Sequence, residues 1–174
     1  REHVRRVVTR YKASPAVLMW QLVNEAESKT RDGESDPESL YNFAKDMSEL
    51  VKSIDREHLV SMGTIGTGQP GIQNSHFGKL HAIPTIDVVE AHDYNHDKEP
   101  WPSHPWNSID VASTIATLLN KPFFIGEAGI KARCEGCTSK EERARLLEKK
   151  IEAAFSRNVD GYLLWQYEVA EETT

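Results

Sequence analysis

Five short apolar runs that do not alternate with polar residues most constrain the fold of this chain. They cover residues 17–24, 58–63, 86–92, 123–127 and 161–165. Runs of this length, rich in Val, Ile, Leu and aromatic residues, are typical of strands buried on both faces. We therefore expect an α/β protein with a parallel sheet.

The segments between these runs carry helix signals. Asp36 followed by Pro37 marks a helix start, and apolar residues then recur at steps of three and four. Ser139 and Glu142 form a capping box at the start of another helix. Further helices are expected over residues 1–12 and 108–119, and a long loop with at most a short helix over residues 64–83.

The ends of the expected strands recur 29 to 38 residues apart, at positions 25, 63, 92, 127 and 165. A repeated strand–helix unit of this size implies parallel strands with right-handed crossovers. Eight such units would close a (β/α)8 TIM barrel, so a chain with five predicts part of a barrel. An open, doubly wound sheet of five strands is the alternative, but it would leave an exposed edge.

Composition excludes several classes of function. The chain has 174 residues and a formal net charge of -6, from 21 basic and 27 acidic residues, which disfavours a nucleic-acid partner. No apolar stretch approaches the roughly 20 residues that span a bilayer, so no membrane partner is expected. No signal peptide is recognised, and because the chain begins with Arg, localisation stays open.

Cys134 and Cys137 are the two cysteines of the chain. A C-x-x-C pair can be a redox couple, half of a zinc site or a local disulfide. Zinc would need two further ligands at matching spacing, and none stands out. A loop disulfide in an exported enzyme, or two idle thiols, is the favoured interpretation, so a secreted protein is preferred.

Two glutamates end matching apolar runs. Glu25 follows the first run and Glu127 the fourth, so each is a carboxylate at the C-terminal end of an expected strand. Ligands of parallel α/β folds bind at this end, and two such carboxylates are the usual means of cutting glycosidic bonds. We expect a separation of about 5–5.5 Å, the geometry of a retaining enzyme. The alternative is that they are salt-bridged surface residues.

Other residues at the expected strand ends suit sugar binding. They are Asn24, His92, Tyr94 and Trp165. Trp165 offers a flat apolar face to a pyranose ring, although it could equally be a core residue, as could His92. Trp101 and Trp106 lie in a proline-rich loop and are candidate walls of sugar subsites, with loop packing as the alternative.

These segments carry a resemblance to a known family. Residues 20–25 (Trp-Gln-Leu-Val-Asn-Glu) resemble the fourth-strand acid/base motif of clan A glycoside hydrolases, and family 5 most closely. His92-Asp-Tyr94 is similar to the sixth-strand His-x-Tyr of that family, residues 122–127 to its nucleophile motif, and residues 161–167 to its eighth-strand segment ending in a platform tryptophan. Residues 58–63 are similar to the fifth strand of family 5 β-mannanases.

The resemblance implies a fold and a set of roles. The chain would be a single catalytic domain over residues 1–174 that covers about strands 4 to 8 of the barrel and lacks the first three. Glu25 would be the acid/base and Glu127 the nucleophile, with Asn24, His92, Tyr94, Trp165, Trp101 and Trp106 binding substrate.

The expected activity is that of a retaining endo-β-1,4-glycanase acting on mannan or glucan. Its partners would be a polysaccharide or oligosaccharide substrate and the missing N-terminal part of the barrel. An exo-acting β-glycosidase and a non-catalytic carbohydrate-binding half-barrel are the alternatives.

No cofactor is expected. The His- and Asp-dense residues 92–97 invite a metal hypothesis, but the segment leaves a strand, where the i, i+4 histidine spacing does not converge, so no metal is expected.

Overall fold

The computed structural model describes residues 1–94, 108–131 and 137–166. Helices and strands in these ranges alternate along much of the chain. In order they are α1 (Glu2–Tyr11), β1 (Met19–Gln21), α2 (Pro37–Ile54), β2 (Leu59–Ser61), α3 (Ser75–His81), β3 (Val89–Asp93), α4 (Ile109–Leu119), β4 (Phe123–Ala128), α5 (Lys140–Phe155) and β5 (Gly161–Leu164). All five expected strands are present, and α3 is the short helix of the long loop.

The strands form a two-stranded parallel sheet, β1–β2, and a three-stranded parallel sheet, β3–β4–β5, each in chain order. β1 pairs with β2, β3 pairs with β4, and β4 pairs with β5. β2 lies next to the residues that lead into β3, since the N–H groups of Asp87 and Val88 both donate to the carbonyl of Val60. A doubly wound sheet reverses its strand order at a switch point, so this order contradicts that alternative and agrees with part of a barrel.

The helix starts are those that the sequence predicts. The carboxylate of Asp36 accepts a hydrogen bond from the N–H of Ser39, 3.1 Å away, at the start of α2. The hydroxyl of Ser139 accepts from the N–H of Glu142, also at 3.1 Å, at the start of α5. Each bond satisfies a backbone donor that the first helical turn leaves without a partner. Among the described helices, none has both the length and the apolar character needed to cross a bilayer.

The apolar core lies between the strands and the helices that cover them. Phe77 of α3, Ile109 of α4, and Phe123 and Ile125 of β4 are buried and belong to one continuous cluster. Their burial explains why the strand segments read as unbroken apolar runs rather than alternating ones. The core therefore fixes the positions at which the strands end.

A buried ion pair ties α5 to β3. The ammonium of Lys150 lies 2.6 Å from Oδ1 of Asp93, and the hydroxyl of Tyr162 donates to Oδ2 at 3.2 Å. The side chains of Lys150 and Asp93 are both buried. Removing one partner of such a pair leaves an uncompensated charge in a medium of low dielectric constant.

Lys150→Met is therefore expected to lower the free energy of unfolding by about 3–5 kcal/mol, because the carboxylate of Asp93 would lose its counter-charge. Urea denaturation followed by circular dichroism measures the change. Lys149→Met is the matched control, since Lys149 is the neighbouring exposed lysine of the same helix. Equal stability of the two variants would contradict the assignment.

Candidate active site

The C-terminal ends of the parallel strands bring the candidate residues together. Glu25 follows β1, His92 lies near the end of β3 and Tyr94 just after it, Glu127 lies near the end of β4, and Trp165 directly follows β5. The strands are parallel within each of the two sheets, and the contact between His92 and Glu25 brings the C-terminal ends of the two sheets together.

A sharp turn after β1 presents Glu25. Its N–H donates to the carbonyl of Gly63, 2.8 Å away, and its own φ is 48°, in the left-handed region. Gly63 also has a positive φ, and a Cβ at this position would overlap the carbonyl oxygen of Val23. The glycine thus allows the two chain segments to approach, which the sequence alone does not reveal. This turn also makes β1 shorter than the expected strand over residues 17–24.

His92 connects the two glutamates. It is buried, with Nδ1 2.6 Å from Oε1 of Glu25 and 3.9 Å from Oε2 of Glu127. The hydroxyl of Tyr94 donates to Oε2 of Glu127 at 2.5 Å, the length of a charge-assisted hydrogen bond. Both carboxylates are therefore held by neighbouring side chains rather than extending freely into solvent.

The two carboxylates face the same space. Single ligand atoms of Glu25, His92 and Glu127 all lie within 4.8 Å of one another, so an oxygen of one glutamate is that close to an oxygen of the other. Retaining glycosidases separate their carboxyl groups by about 5–5.5 Å and inverting ones by roughly 6.5–9.5 Å. An oxygen–oxygen distance of at most 4.8 Å is nearer to the retaining spacing than to the inverting one.

The environment of the site favours protonated His92 and protonated Tyr94. Burial opposes the imidazolium form, but hydrogen bonds with Glu90 and Glu25 and the charges of Glu90 and Glu127 outweigh it and raise the pKa of His92. Burial, the hydrogen bond to Glu127 and the charges of both catalytic candidates raise the pKa of Tyr94 well above its usual value. The hydroxyl of Tyr94 therefore remains a hydrogen-bond donor to Glu127, and the imidazole of His92 is protonated more readily than an ordinary histidine.

Two carboxylates and an imidazole could also ligate a divalent cation. Here, however, Nδ1 of His92 is hydrogen-bonded to Glu25, and the hydroxyl of Tyr94 donates to Glu127. The hydrogen-bonding groups of the site are therefore paired with one another. Asp93, part of the His- and Asp-dense segment, is instead paired with Lys150. His96 and Asp97 lie outside the described residues.

Of the four remaining candidates, the structure describes Asn24 and Trp165. Trp165 is 58% exposed beside the site, as a sugar platform requires, and Asn24 is exposed directly before Glu25. Trp101 and Trp106 lie outside the described residues, so their roles stay predictions. Cys137 is disulfide-bonded, which agrees with the loop-disulfide interpretation.

Sequence reasoning missed Glu90, which lies beneath the site on β3 and is buried. The signal was present, since Glu90 is a charged residue in the middle of a run otherwise interpreted as buried on both faces. A charge at such a position needs partners in the interior. Gln21 and Ser61, which supply hydrogen bonds to Glu90, carry no signal of their own.

Solved structures share this fold. The endo-1,4-beta-D-mannanase of Thermotoga petrophila superposes with a TM-score of 0.71 at 23% identity, covering 94% of this chain and 49% of that one. The endo-1,4-beta-mannanase of Rhizomucor miehei gives a TM-score of 0.72 at 21% identity, covering 99% and 53%. Parallel strands that run in chain order, superposed on these enzymes, define the chain as an α/β protein of the (β/α)-barrel class.

Sequence comparison then specifies the family. The model described as GH family 5 beta-mannosidase-like matches residues 2–131. A probable mannan endo-1,4-beta-mannosidase A of Aspergillus clavatus is 32% identical over 143 residues, and the mannan endo-1,4-beta-mannosidase A of Aspergillus aculeatus is 27% identical over 180 residues. The chain belongs to the β-mannosidase-like branch of glycoside hydrolase family 5.

The chain is shorter than these relatives. The matches cover 75% and 96% of this chain but only 38% and 44% of the two fungal proteins. The chain therefore spans about two fifths of the length of the curated relatives that it matches.

Proposed function

We propose that the protein containing this chain is a retaining endo-β-1,4-mannanase. The observation that carries the proposal is the pair of carboxylates, Glu25 and Glu127, within 4.8 Å of each other at the C-terminal ends of parallel strands. The substrate class is taken from the relatives, which are named mannan endo-1,4-beta-mannosidases. A non-catalytic carbohydrate-binding module would not need this pair.

In the first step, Glu127 attacks the anomeric carbon and the glycosidic C–O bond breaks. Glu25 gives its proton to the departing oxygen, which leaves with the released half of the polymer, and a covalent glycosyl-enzyme ester forms on Glu127. The hydroxyl of Tyr94, which donates to Oε2 of Glu127, holds the nucleophile in place. Nδ1 of His92, 2.6 Å from Oε1 of Glu25, leaves the second oxygen of Glu25 to carry the proton.

In the second step, Glu25 acts as a base. It removes a proton from water, the resulting hydroxide oxygen attacks the anomeric carbon, and the ester bond to Glu127 breaks. Each step inverts the anomeric carbon, so the product keeps the β configuration. Asn24, directly before Glu25, and the exposed face of Trp165, directly after β5, would hold the sugar ring during both steps.

We further propose that the five strands are strands 4 to 8 of the barrel and that three earlier strands complete it. β1 and β5 each pair on one side only among the described residues. Leu18 beside β1 and Leu163 and Leu164 of β5 are more than half exposed. Exposed edge strands with apolar side chains are normally covered, and additional strands of the same barrel would cover both edges.

A single catalytic domain of this kind would be exported, in keeping with the disulfide at Cys137.

An exo-acting β-mannosidase is the second candidate, because the matching family model is described as β-mannosidase-like. A polysaccharide panel on the full-length protein that contains these residues separates the two. We expect a rapid fall in the viscosity of β-1,4-mannan, release of mannooligosaccharides, and weaker action on β-glucan. Release of mannose alone, with little fall in viscosity, would favour the exo-acting alternative, and binding without release of reducing ends would refute catalysis.

A further inference from the structure

Glu90 is a buried carboxylate directly beneath the catalytic pair. It is the second residue of β3, and 3% of its surface is exposed. Oε2 accepts hydrogen bonds from the N–H of Gly63 at 2.9 Å and from the hydroxyl of Ser61, and Oε1 accepts from the side-chain amide of Gln21 at 2.7 Å. These neighbours all donate, which suits an ionised carboxylate, since that group only accepts.

The neighbouring strand makes room for this carboxylate. β3 pairs Ala91 with Ile125 and then His92 with Glu127, so Gly126 is an extra residue in β4. A Cβ at Gly126 would overlap Oε1 of Glu90. The bulge thus accommodates Glu90 and places Glu127 opposite His92, as bulges beside active sites do when they re-aim a side chain.

Glu90 contacts the imidazole that holds Glu25. Nε2 of His92 lies 3.4 Å from Oε1 of Glu90, while Nδ1 on the other side of the ring lies 2.6 Å from Oε1 of Glu25. One buried imidazole therefore lies between two carboxylates, and a ring that donates at both nitrogens matches this arrangement.

We propose that Glu90 is a positioning residue that keeps His92 protonated at both ring nitrogens. The Nδ1–H of His92 then always donates to Oε1 of Glu25, and the catalytic proton of Glu25 is confined to its other oxygen. The inference rests on the proposed function, because it explains how the acid/base is oriented. Without a donor at Nδ1, either oxygen of Glu25 could carry the proton, and only one orientation is productive.

Several charged or titratable groups act on this unit. Glu25 faces His92 from the end of β1, Glu90 from β3, and Glu127 from β4, where it also accepts from Tyr94. From α3, His81 faces Glu90, but burial lowers the pKa of His81 to about 4, so it is neutral at neutral pH. Among the residues that the structure describes, these three carboxylates favour charged His92.

Glu90→Gln tests the proposal, since it keeps the size of the side chain and removes its charge. We expect the pKa of His92 to fall by about 1 unit or more, as loss of a close opposite charge does. NMR of ring-labelled histidine in the full-length protein measures it, with the signal assigned by its loss in His92→Gln. We also expect kcat on mannan to fall about tenfold at neutral pH with little change in KM. The alkaline limb of the rate profile should move to lower pH.

Asp93→Asn is the matched control. It removes the charge of another buried carboxylate of β3, one that is paired with Lys150. We expect it to reduce stability but to leave the pKa of His92 and the alkaline limb within about 0.3 units of the parent, because the charge of Asp93 is already compensated by the ammonium of Lys150. An equal shift in both variants would overturn the proposal.

The NMR measurement does not depend on catalysis, and the measurement on the parent protein does not depend on the folding of any variant. In the parent protein, His92 should remain mostly doubly protonated at pH 6.5, where an ordinary histidine is half charged. A singly protonated ring at that pH would overturn the proposal, as would an unchanged His92 pKa in Glu90→Gln. If the parent failed to hydrolyse any glycan, the proposed function would fail while the role of Glu90 in holding His92 protonated would still be decided by NMR.

Discussion

Glu127→Ala is expected to lower kcat on mannan by about 10⁴-fold or more, the scale of loss seen when a covalent nucleophile is removed. Without the carboxylate, the glycosyl ester cannot form and Tyr94 loses the acceptor of its hydrogen bond. The measurement is release of reducing ends from β-1,4-mannan by the full-length protein, with enzyme concentration high enough to detect the residual rate.

Two checks make this result interpretable. Glu148→Ala removes an exposed carboxylate on α5 and should retain the parent rate, so loss of charge as such is controlled. Mannan binding by Glu127→Ala should persist, because Trp165 and Asn24 remain. If Glu127→Ala kept more than a tenth of the parent rate, Glu127 would not be the nucleophile.

The strands and their order in space follow from local sequence pattern. Parallel strands that are covered on both faces must be apolar throughout, so the runs ending near Glu25, His92 and Glu127 stand out from the polar segments around them. Parallel strands also end at the same edge, and this geometric fact alone predicts that the side chains following them converge. The structure brings Glu25, His92, Tyr94 and Glu127 together, and their roles stay predictions.

The surroundings of Glu90, the buried carboxylate beneath the site, could not be predicted in the same way. Which donors surround Glu90 depends on Ser61, Gly63 and Gln21, which lie on or beside two other strands and meet Glu90 only after the sheet forms. Equally, a glycine at position 126 is compatible with any turn or bulge, and only the register between β3 and β4 shows that it makes space for a carboxylate. Long-range register has no local signature in a single sequence.

Glu25→Ala is expected to affect substrates according to their leaving groups. Hydrolysis of mannan should fall by about 10²–10⁴-fold, the usual contribution of a general acid/base. A β-mannoside with an activated aryl leaving group, which needs no protonation, should still form the glycosyl ester on Glu127. Its turnover would then be limited by the second step, in which Glu25 no longer activates water.

Azide distinguishes the roles of the two glutamates through the stereochemistry of its product. In Glu25→Ala, azide needs no base and should displace Glu127 from the glycosyl ester, so that the rate recovers and a β-mannosyl azide accumulates after two inversions. In Glu127→Ala, azide can only replace the missing nucleophile, and a single inversion gives the α-mannosyl azide. Proton NMR of the anomeric centre identifies each product. Recovery of Glu25→Ala with the α product, or no recovery by azide at all, would remove Glu25 from the acid/base role, because the ester on Glu127 would then not be the species that azide attacks.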